Sequence, residues 1–369
     1  MSVLSPSASS GGSTATPRVI ADEDLHVFED LRHDYGDTPP AGSMAASTED
    51  LLICCACGTQ FDIEDRNVLR SCRTCDDPRQ FVPPTGQKFT TLAELRRGGF
   101  VNRRKFLEGD ERFCSIWTEP KFGIGQRCIL IQTPLGNVLW DCITYLDEET
   151  IGWINSVGGL AAIVISHPHY YTTHLEWAET FDCPVYLSWE DMGWLNRLDR
   201  LGRFRTFIHT KEEDIEYRGE KLGVKALKLG GHFPGSLCVL AFGRLLIADT
   251  LVTTPAGMGD WTKGTGMGTT RRPEGMNSFA FMWSIPNMIP LSPAEIAGMW
   301  DVLKRHEFVS THGAFVNVDV YDGAGGSETG VKQRVLDSMQ IQVRSMGWKE
   351  HSFLQETCSK VVAEEEEEL

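Results

Sequence analysis

From about Phe113 to Cys358, apolar and polar positions alternate in a rhythm of short strands and helices. Gln126–Thr133 and Asn137–Asp141 are two apolar runs split by Pro134-Leu135-Gly136, which predicts a β-hairpin. Asp147–Val157 predicts a helix with acids in its first turn. Ala161–Ser166 reads as a buried strand, Leu175–Phe181 as a helix and Cys183–Leu187 as another strand. Lys221–Leu229, Leu237–Phe242 and Leu245–Ala248 read as strands, and Phe308–Ser310 as a short one. Ser292–Arg305 carries a strong helix start, with Ser292 as N-cap and Pro293 at the first position. Gly330–Met346 is a last amphipathic helix. The best apolar run, Ala161–Ile165, falls far short of the ~18 residues of a membrane span.

Outside that stretch the pattern changes. Residues 1–48 are rich in Ser, Gly, Pro, Ala and acid. They bury too little apolar area to offset the entropy of ordering, so they read as a disordered tail. Residues 49–88 form a Cys-rich module. Residues 89–112 read as a linker with one short helix, Thr91–Arg97. Residues 113–358 are the large domain and 359–369 an acidic tail. A length of 369 residues suits one large domain plus a small one.

Charge narrows the function classes. The chain has 35 basic and 51 acidic residues, a net −16. Residues 1–50 hold −7 of this and Glu364–Glu368 −5, which leaves −4 for the body. A generic nucleic-acid binder needs a basic surplus, so that class is disfavoured. The first residues lack a continuous apolar segment, which argues against secretion. Met1–Ala21 is Ser-rich with Arg18 its one basic residue, but Asp22–Asp24 and the lack of further Arg argue against a mitochondrial transit peptide. The expectation is a cytoplasmic protein without a membrane partner, with mitochondrial or nuclear placement left open.

Five of the eleven cysteines fall between Cys54 and Cys75. They read Cys54-Cys55-Ala56-Cys57-Gly58 and, 14 residues on, Cys72-Arg73-Thr74-Cys75. Two C-x2-C turns can each place two thiolates on one tetrahedral zinc, and Gly58 supplies the backbone freedom that closes such a turn. Four thiolates with no open position make a structural site, and in so short a module the metal supplies the fold. Buried free thiols and a redox C-x2-C are the alternatives. Cys55 is the spare, able to replace Cys54 only at poor spacing from Cys57. A zinc ribbon of this kind can scaffold or contact a protein partner. The acids around it (Asp62, Glu64, Asp65, Asp76, Asp77) disfavour nucleic acid.

In the large domain, four apolar strands each run into a His or Asp. Ala161–Ser166 ends in His167-Pro168-His169, and Lys221–Leu229 in Gly230-Gly231-His232. Leu245–Ala248 ends in Asp249, and Phe308–Thr311 in His312-Gly313. Strand ends at one sheet edge converge, so these donors can meet around a catalytic zinc or a similar ion. In an extended segment, alternation would point His167 and His169 the same way.

These segments resemble the metallo-β-lactamase-fold hydrolases. Ser166-His167-Pro168-His169-Tyr170-Tyr171-Thr172-Thr173-His174 is similar to the family's His-x-His-x-Asp-His loop. Gly231-His232-Phe233-Pro234-Gly235-Ser236 matches its Gly-His segment, Leu246–Thr250 its strand-then-Asp, and His312-Gly313 its final His-Gly. The hairpin Gln126–Asp141 resembles the family's opening strands. The Cys-rich module, then Gln126-Arg127, then His-Pro-His-Tyr, is also similar to a group of uncharacterised fungal proteins of this superfamily. The resemblance implies an α/β fold: an αβ/βα sandwich of two mixed sheets flanked by helices, with a small zinc-ribbon-like module in front. It implies a first ion on His167, His169 and His232, with Asp249 available to bridge. The chain departs from the family at Tyr171 and Thr172, where the second ion's Asp and His belong. Three readings stay open: a pair of ions completed by His174, with Asp249 and His312; a single ion; or a degenerate, metal-poor site that serves binding or scaffolding. Glu176 is a further, weaker ligand candidate.

Three imidazoles with an open position lower the pKa of a bound water toward about 7. The expected activity is that of a metallo-hydrolase whose metal-bound hydroxide attacks an ester-, thioester- or lactone-like small molecule. Zinc is expected, one structural ion and one or two at the His site, with iron or manganese open. Tyr171 is the catalytic candidate to donate a proton, and Asp249 to accept one if it is not tied up as ligand. Tyr170 and Tyr171 could equally pack on the following helix. Thr253–Pro290 reads as a long loop placed to cover the metal, with Arg271 and Arg272 an anion hold; its Met residues and aromatics make either an adaptable apolar wall or simply outer-layer packing.

Overall fold

The computed structural model describes residues 48–358, apart from 201, 264–272, 274 and 324–328. The tails expected at 1–48 and 359–369 lie outside these residues, save Thr48, as do Arg271, Arg272 and Met267 of the long loop. The described residues belong to one compact unit.

In the Cys-rich module, β1 (Ile53–Cys54) pairs antiparallel with β2 (Phe89–Thr90). Helix α1 (Leu92–Arg97) follows, with Thr91 as its N-cap. The stretch 89–112 is therefore no linker. After α1 it runs straight into β3 (Val101–Leu107), which pairs with β4 (Asp110–Glu119). An edge strand with charged outer positions carries little apolar signal: only Asn102 and Leu107 of β3 are buried.

A seven-stranded sheet then builds in chain order. Strands β5 (Cys128–Ile131) and β6 (Val138–Trp140) form the expected hairpin. Helix α2 (Glu148–Ser156), capped by Asp147, leads to β7 (Ala162–Val164). Helix α3 (His174–Phe181) leads to β8 (Val185–Ser188), and β9 (Arg205–Ile208) closes the sheet. Strands β3 to β6 pair antiparallel and β6 to β9 parallel. Near-continuous apolar runs in β5 to β7 fit a sheet covered on both faces.

The second sheet has six strands. These are β10 (Glu212–Tyr217), β11 (Glu220–Lys228), β12 (Leu237–Ala241) and β13 (Arg244–Leu246), then β18 (Ser310–His312) and β19 (Asp319–Tyr321). Only the β13–β18 contact is parallel. Between β13 and β18 come β14 (Val252–Thr253) with β15 (Phe279–Ala280), and the hairpin of β16 (Met282–Ser284) and β17 (Ile289–Pro290). Helix α4 (Pro255–Met258) follows β14, α5 (Pro293–Leu303) follows the hairpin, and α6 (Val331–Ser345) follows β19.

Helix α5 starts as expected. Ser292 Oγ accepts the Glu295 amide while the Glu295 carboxylate accepts the Ser292 amide, a reciprocal cap worth about 1 kcal/mol. Leu227, Leu245 and Ile247 pack under Ile296, Met299 and Trp300 of α5 and Val335 and Met339 of α6. Phe279 and Phe281 belong to the same core, so these two aromatics of the long stretch pack the fold rather than line a substrate wall. The architecture is the expected one: two mixed sheets flanked by helices, with a four-cysteine module at the N-terminal side. Among the described residues, no helix is long and apolar enough to cross a membrane.

Candidate metal centres

The four sulfurs of Cys54, Cys57, Cys72 and Cys75 converge in a buried cluster. Cys54 and Cys75 Sγ lie 3.7 Å apart and Cys57 and Cys72 Sγ 3.6 Å apart. Bonds of about 2.3 Å to one zinc give a tetrahedron edge of about 3.8 Å, so the spacing fits. The turn closes through the Gly58 amide, which donates to the Cys54 carbonyl at 2.8 Å. Gly58 has φ 83°, and a side chain there would strike Thr144. The cluster's own apolar support is thin: Leu52, Phe61 and Leu69. Hydrogen bonds from the other thiols lower the pKa of Cys54, and the same hydrogen bonding to Cys54, with burial added, raises Cys57 and Cys75. Such a group needs a cation to carry four thiolates. Cys55 stands outside it.

The second cluster gathers His167, His169, His232 and Asp249. The loop after β7 carries the first two. It is anchored by Asp141, just past β6, whose Oδ1 accepts the Ser166 amide at 2.7 Å. Burial pushes the Asp141 carboxyl up to about 8 against the pull of that amide. The sequence marks Asp141 only as a strand end; its signal is a lone acid closing a buried strand. The two rings do not sit on an extended segment. Pro168–Tyr170 is a turn of 3₁₀ helix, with His167 before it and His169 inside it. The third ring follows Gly230-Gly231 after β11. Gly231 has φ 89°, and a side chain there would collide with Thr250 and Leu291.

The three ring centroids form a near-equilateral triangle with sides of 5.0, 5.1 and 5.1 Å. Asp249 Oδ2 lies 3.4 Å from His167 Nε2, 3.8 Å from His169 Nδ1 and 3.8 Å from His232 Nε2. His232 Nε2 and His169 Nδ1 are 3.3 Å apart. Metal–nitrogen bonds of about 2.0–2.1 Å imply edges of about 3.4 Å in a tetrahedron. Further partners aim the rings. His232 Nδ1 donates to the Met282 carbonyl at 3.3 Å; a carbonyl only accepts, so the lone pair of this ring is on Nε2, facing inward. His167 Nδ1 meets Ser166 Oγ at 2.9 Å. His167 Nε2 is buried with no hydrogen-bond partner among the described residues. An orphaned inward nitrogen beside two more and a carboxylate is what a divalent ion would satisfy, so the donor set fits a metal.

Asp249 is the one member with appreciable exposure, its side chain 16% accessible against 1% or less for the three rings. The open side of the cage is therefore at the carboxylate. Burial alone would raise this carboxyl, but the surrounding imidazoles hold it well below the usual range, and it stays ionised. Its Oδ1 accepts the Tyr170 hydroxyl at 2.9 Å. Tyr170, not Tyr171, is thus the tyrosine at the site. Tyr171 points away and donates to the Asp191 carbonyl at 3.4 Å, and burial lifts its pKa well above the ordinary value. The expected proton-donor role of Tyr171 is corrected accordingly. Replacing Tyr170 by Phe should weaken metal retention about tenfold, the scale of a lost supporting contact, while Tyr171→Phe should leave it unchanged. Ion counting after dialysis against a graded chelator reads both.

His174 and His312 do not join the cage. His174 opens α3 with Nδ1 donating to the Tyr171 carbonyl at 2.7 Å and Nε2 accepting from Arg205 at 2.9 Å. Both nitrogens are used to hold a buried arginine. His312 Nδ1 meets Asp319 at 2.8 Å, and its Nε2 faces Ser310 Oγ at 3.0 Å and Arg244 at 3.2 Å. Hydroxyl, imidazole and carboxylate line up as in a nucleophilic triad, but Ser310 is wholly buried, so the group braces the sheet. The cause is register. His312 pairs with Leu246, three residues before Asp249 on the neighbouring chain segment, or about 10 Å at strand rise. Glu176 is likewise taken, by Arg197 at 2.5 Å.

Burial lowers His169 to about 4 and His232 to about 3, so both rings are neutral ligands at physiological pH. His174 and His312 are lowered too, also by burial. Unfolded, all four take up protons near pH 6.5. Their stabilisation is complete above that value and drains as pH falls toward 3. Buried Asp141 and Asp191, raised to about 8 and about 7, act in the opposite sense, but two carboxyls oppose four rings. Chelator-stripped protein should therefore lose melting temperature steadily from pH 6.5 to 4; a flat profile across that window would contradict this assignment.

No family model matches the chain. An uncharacterised protein of Bacillus subtilis, YmaE, is 37% identical over 274 residues, covering 72% of this chain and 89% of that one. Among solved structures, the likenesses include three metallo-β-lactamases. TMB-1 is 13% identical over 66% of this chain and 98% of its own, with a TM-score of 0.41. A metallo-β-lactamase from Hirschia baltica is 11% identical over 64% and 97%, with a TM-score of 0.38. A B3 enzyme with an active-site glutamic acid is 12% identical over 73% and 98%, with a TM-score of 0.38. Likenesses this loose transfer no residue's role.

Proposed function

For a chain that belongs to the family of Bacillus subtilis YmaE, we propose the activity of a metal-dependent hydrolase with one catalytic ion, acting on an ester-, thioester- or lactone-like small molecule. YmaE is itself uncharacterised, so the proposal rests on this chain's own residues. The observation that carries it is the cage of three imidazoles and one ionised carboxylate, with an inward nitrogen that has no partner among the described residues and an exposed edge at Asp249.

His167, His169, His232 and Asp249 would hold the ion, and Cys54, Cys57, Cys72 and Cys75 a separate structural one. A divalent ion in the cage supplies Lewis acidity and an acidified water. The chain's residues do the rest. The Met282 carbonyl and the Ser166 hydroxyl orient the His232 and His167 rings, so that their other nitrogens face inward. Tyr170 holds Asp249 Oδ1 and leaves Oδ2 toward the rings. With Oδ2 turned to the rings and Oδ1 on the Tyr170 hydroxyl, Asp249 serves as a ligand, so the condition on which it was expected to accept a proton is not met. With Thr172 at the second ion's usual position and both His174 and His312 engaged elsewhere, one ion is favoured over two. Zinc is the ion that three nitrogens and one oxygen suit best, and a cytoplasmic setting with its thiols reduced suits the four-cysteine cluster. The same engagement of His174 and His312 would suit a scaffold that binds an ion without turnover.

Hydrolysis of a panel of simple esters, thioesters and lactones, before and after chelation and with zinc restored, separates the two. Activity that disappears with the chelator and returns with zinc is expected. Full metal loading without turnover on any class would leave the scaffold.

A further inference from the structure

The four-cysteine module does more than sit in front of the sheets. Its inner face grips the segments that carry the metal-binding histidines. The Gln60 backbone amide donates to the Thr172 carbonyl at 3.1 Å. Thr172 lies at φ 36°, a conformation a β-branched residue adopts only when its surroundings impose it. It closes the loop of His167 and His169. The second grip comes from the stretch of chain just past Cys75. Arg79 Nη1 donates to the His232 carbonyl at 3.0 Å. The Pro78 carbonyl accepts from Ser284 Oγ and from Asn287 Nδ2, each at 2.7 Å. Those two residues belong to the β16–β17 hairpin, whose Met282 carbonyl orients the His232 ring. One short segment thus holds both the backbone of His232 and the hairpin behind its ring.

Arg79 is built for this position. Its side chain is 10% exposed. Its Nε and Nη2 fork onto the two oxygens of Asp77 at 2.7 and 2.8 Å, and its guanidinium lies 3.7 Å over the Phe233 ring. With both carboxylate oxygens of Asp77 in reach and the closer contact at 2.7 Å, the fork is a bidentate ion pair. A planar, stacked, bidentate arginine leaves little rotamer freedom, which lysine could not reproduce. The segment's nearest ties in its own module are the turn bonds from Cys75 and Asp76 to the Cys72 carbonyl, both 2.9 Å. Its placement therefore depends on the Cys72–Cys75 knuckle keeping its shape.

We propose that the four-cysteine module is a built-in wall of the histidine cage, with Arg79 as the positioning residue that holds His232 to its ion. The structural ion then governs the catalytic one, and the module's partner is its own chain. This rests on reading the cage as a metal centre. Outer contacts of this kind change metal affinity about 10- to 100-fold.

The test is ion binding by the full-length protein, with cobalt replacing both ions. Thiolate-to-cobalt charge-transfer bands report the four-sulfur site, and ligand-field bands of the nitrogen–oxygen site report the cage. Arg79→Ala should weaken the cage ion about 10- to 100-fold in chelator competition and shift its ligand-field bands, with the charge-transfer bands intact. Asp77→Asn, which loosens the guanidinium without removing it, should shift the cage affinity several-fold in the same direction. A general loss of structure would disturb both sets of bands together, so it is told apart; if Arg79→Ala does not fold, Asp77→Asn decides. Cage affinity and bands equal to wild type in both variants would overturn the inference while leaving the hydrolase reading standing. A wild-type protein with no ion in the cage would sink both.

Discussion

Replacing His167 and His169 together by alanine is expected to remove one metal ion per chain and leave one. The two rings supply half of the four ligand atoms in the cage, and both are buried. His232 and Asp249 alone cannot hold a divalent ion against water. The four-cysteine cluster has its own ligands and should keep its ion. Hydrolysis should fall at least about a thousandfold, or about 4 kcal/mol of lost transition-state stabilisation, because the activated water and the oxyanion's counter-charge leave together. The fold should survive, since the cage sits on loops after completed strands. Elemental analysis and rate on the same preparation read both quantities. Unchanged metal content would remove the catalytic assignment outright.

The other large effect belongs to the thiolates. Cys72→Ala should cost the structural ion and much of the module. A structural zinc contributes on the order of 10 kcal/mol to small metal-bound folds, and around the sulfurs this module buries just three large apolar side chains, Leu52, Phe61 and Leu69, with Ala56, Ile63, Phe89 and Ile124 partly buried against them. Losing one of four ligands should lower the melting temperature by about 10 °C or more, at roughly 2–4 °C per kcal/mol. A melting curve with ion counting checks it. A variant that melts like the wild type with two ions bound would mean that the four sulfurs are packed thiols.

What could be read from the chain was whatever local spacing encodes. Two C-x2-C turns carry their geometry within a few residues. His167, His169, His232 and Asp249 each follow a run apolar enough to be a buried strand, and strand ends on one side of a sandwich must meet. His174 and His312 failed for a reason spacing cannot contain. His312 is three residues short of the rim because β18 pairs with β13 in one particular register, and His174 turns to a buried Arg205 that lies 31 residues away. The identity of the useful tyrosine was hidden likewise: a single 3₁₀ turn sends Tyr170 toward Asp249 and Tyr171 toward Asp191. Residues 89–112 read as a linker because β3 buries so little of itself. Arg79 gave no signal, being a surface-type residue four positions after a cysteine; its stack on Phe233 exists only once the module has docked.

The most direct test is anomalous diffraction from crystals at the metal's absorption edge. Two peaks per chain are expected, one among the four sulfurs and one within about 2.0–2.2 Å of His167 Nε2, His169 Nδ1, His232 Nε2 and a carboxylate oxygen of Asp249. A chain loaded with metal that shows a peak only among the sulfurs, with the three rings hydrogen-bonded to one another, would contradict the account.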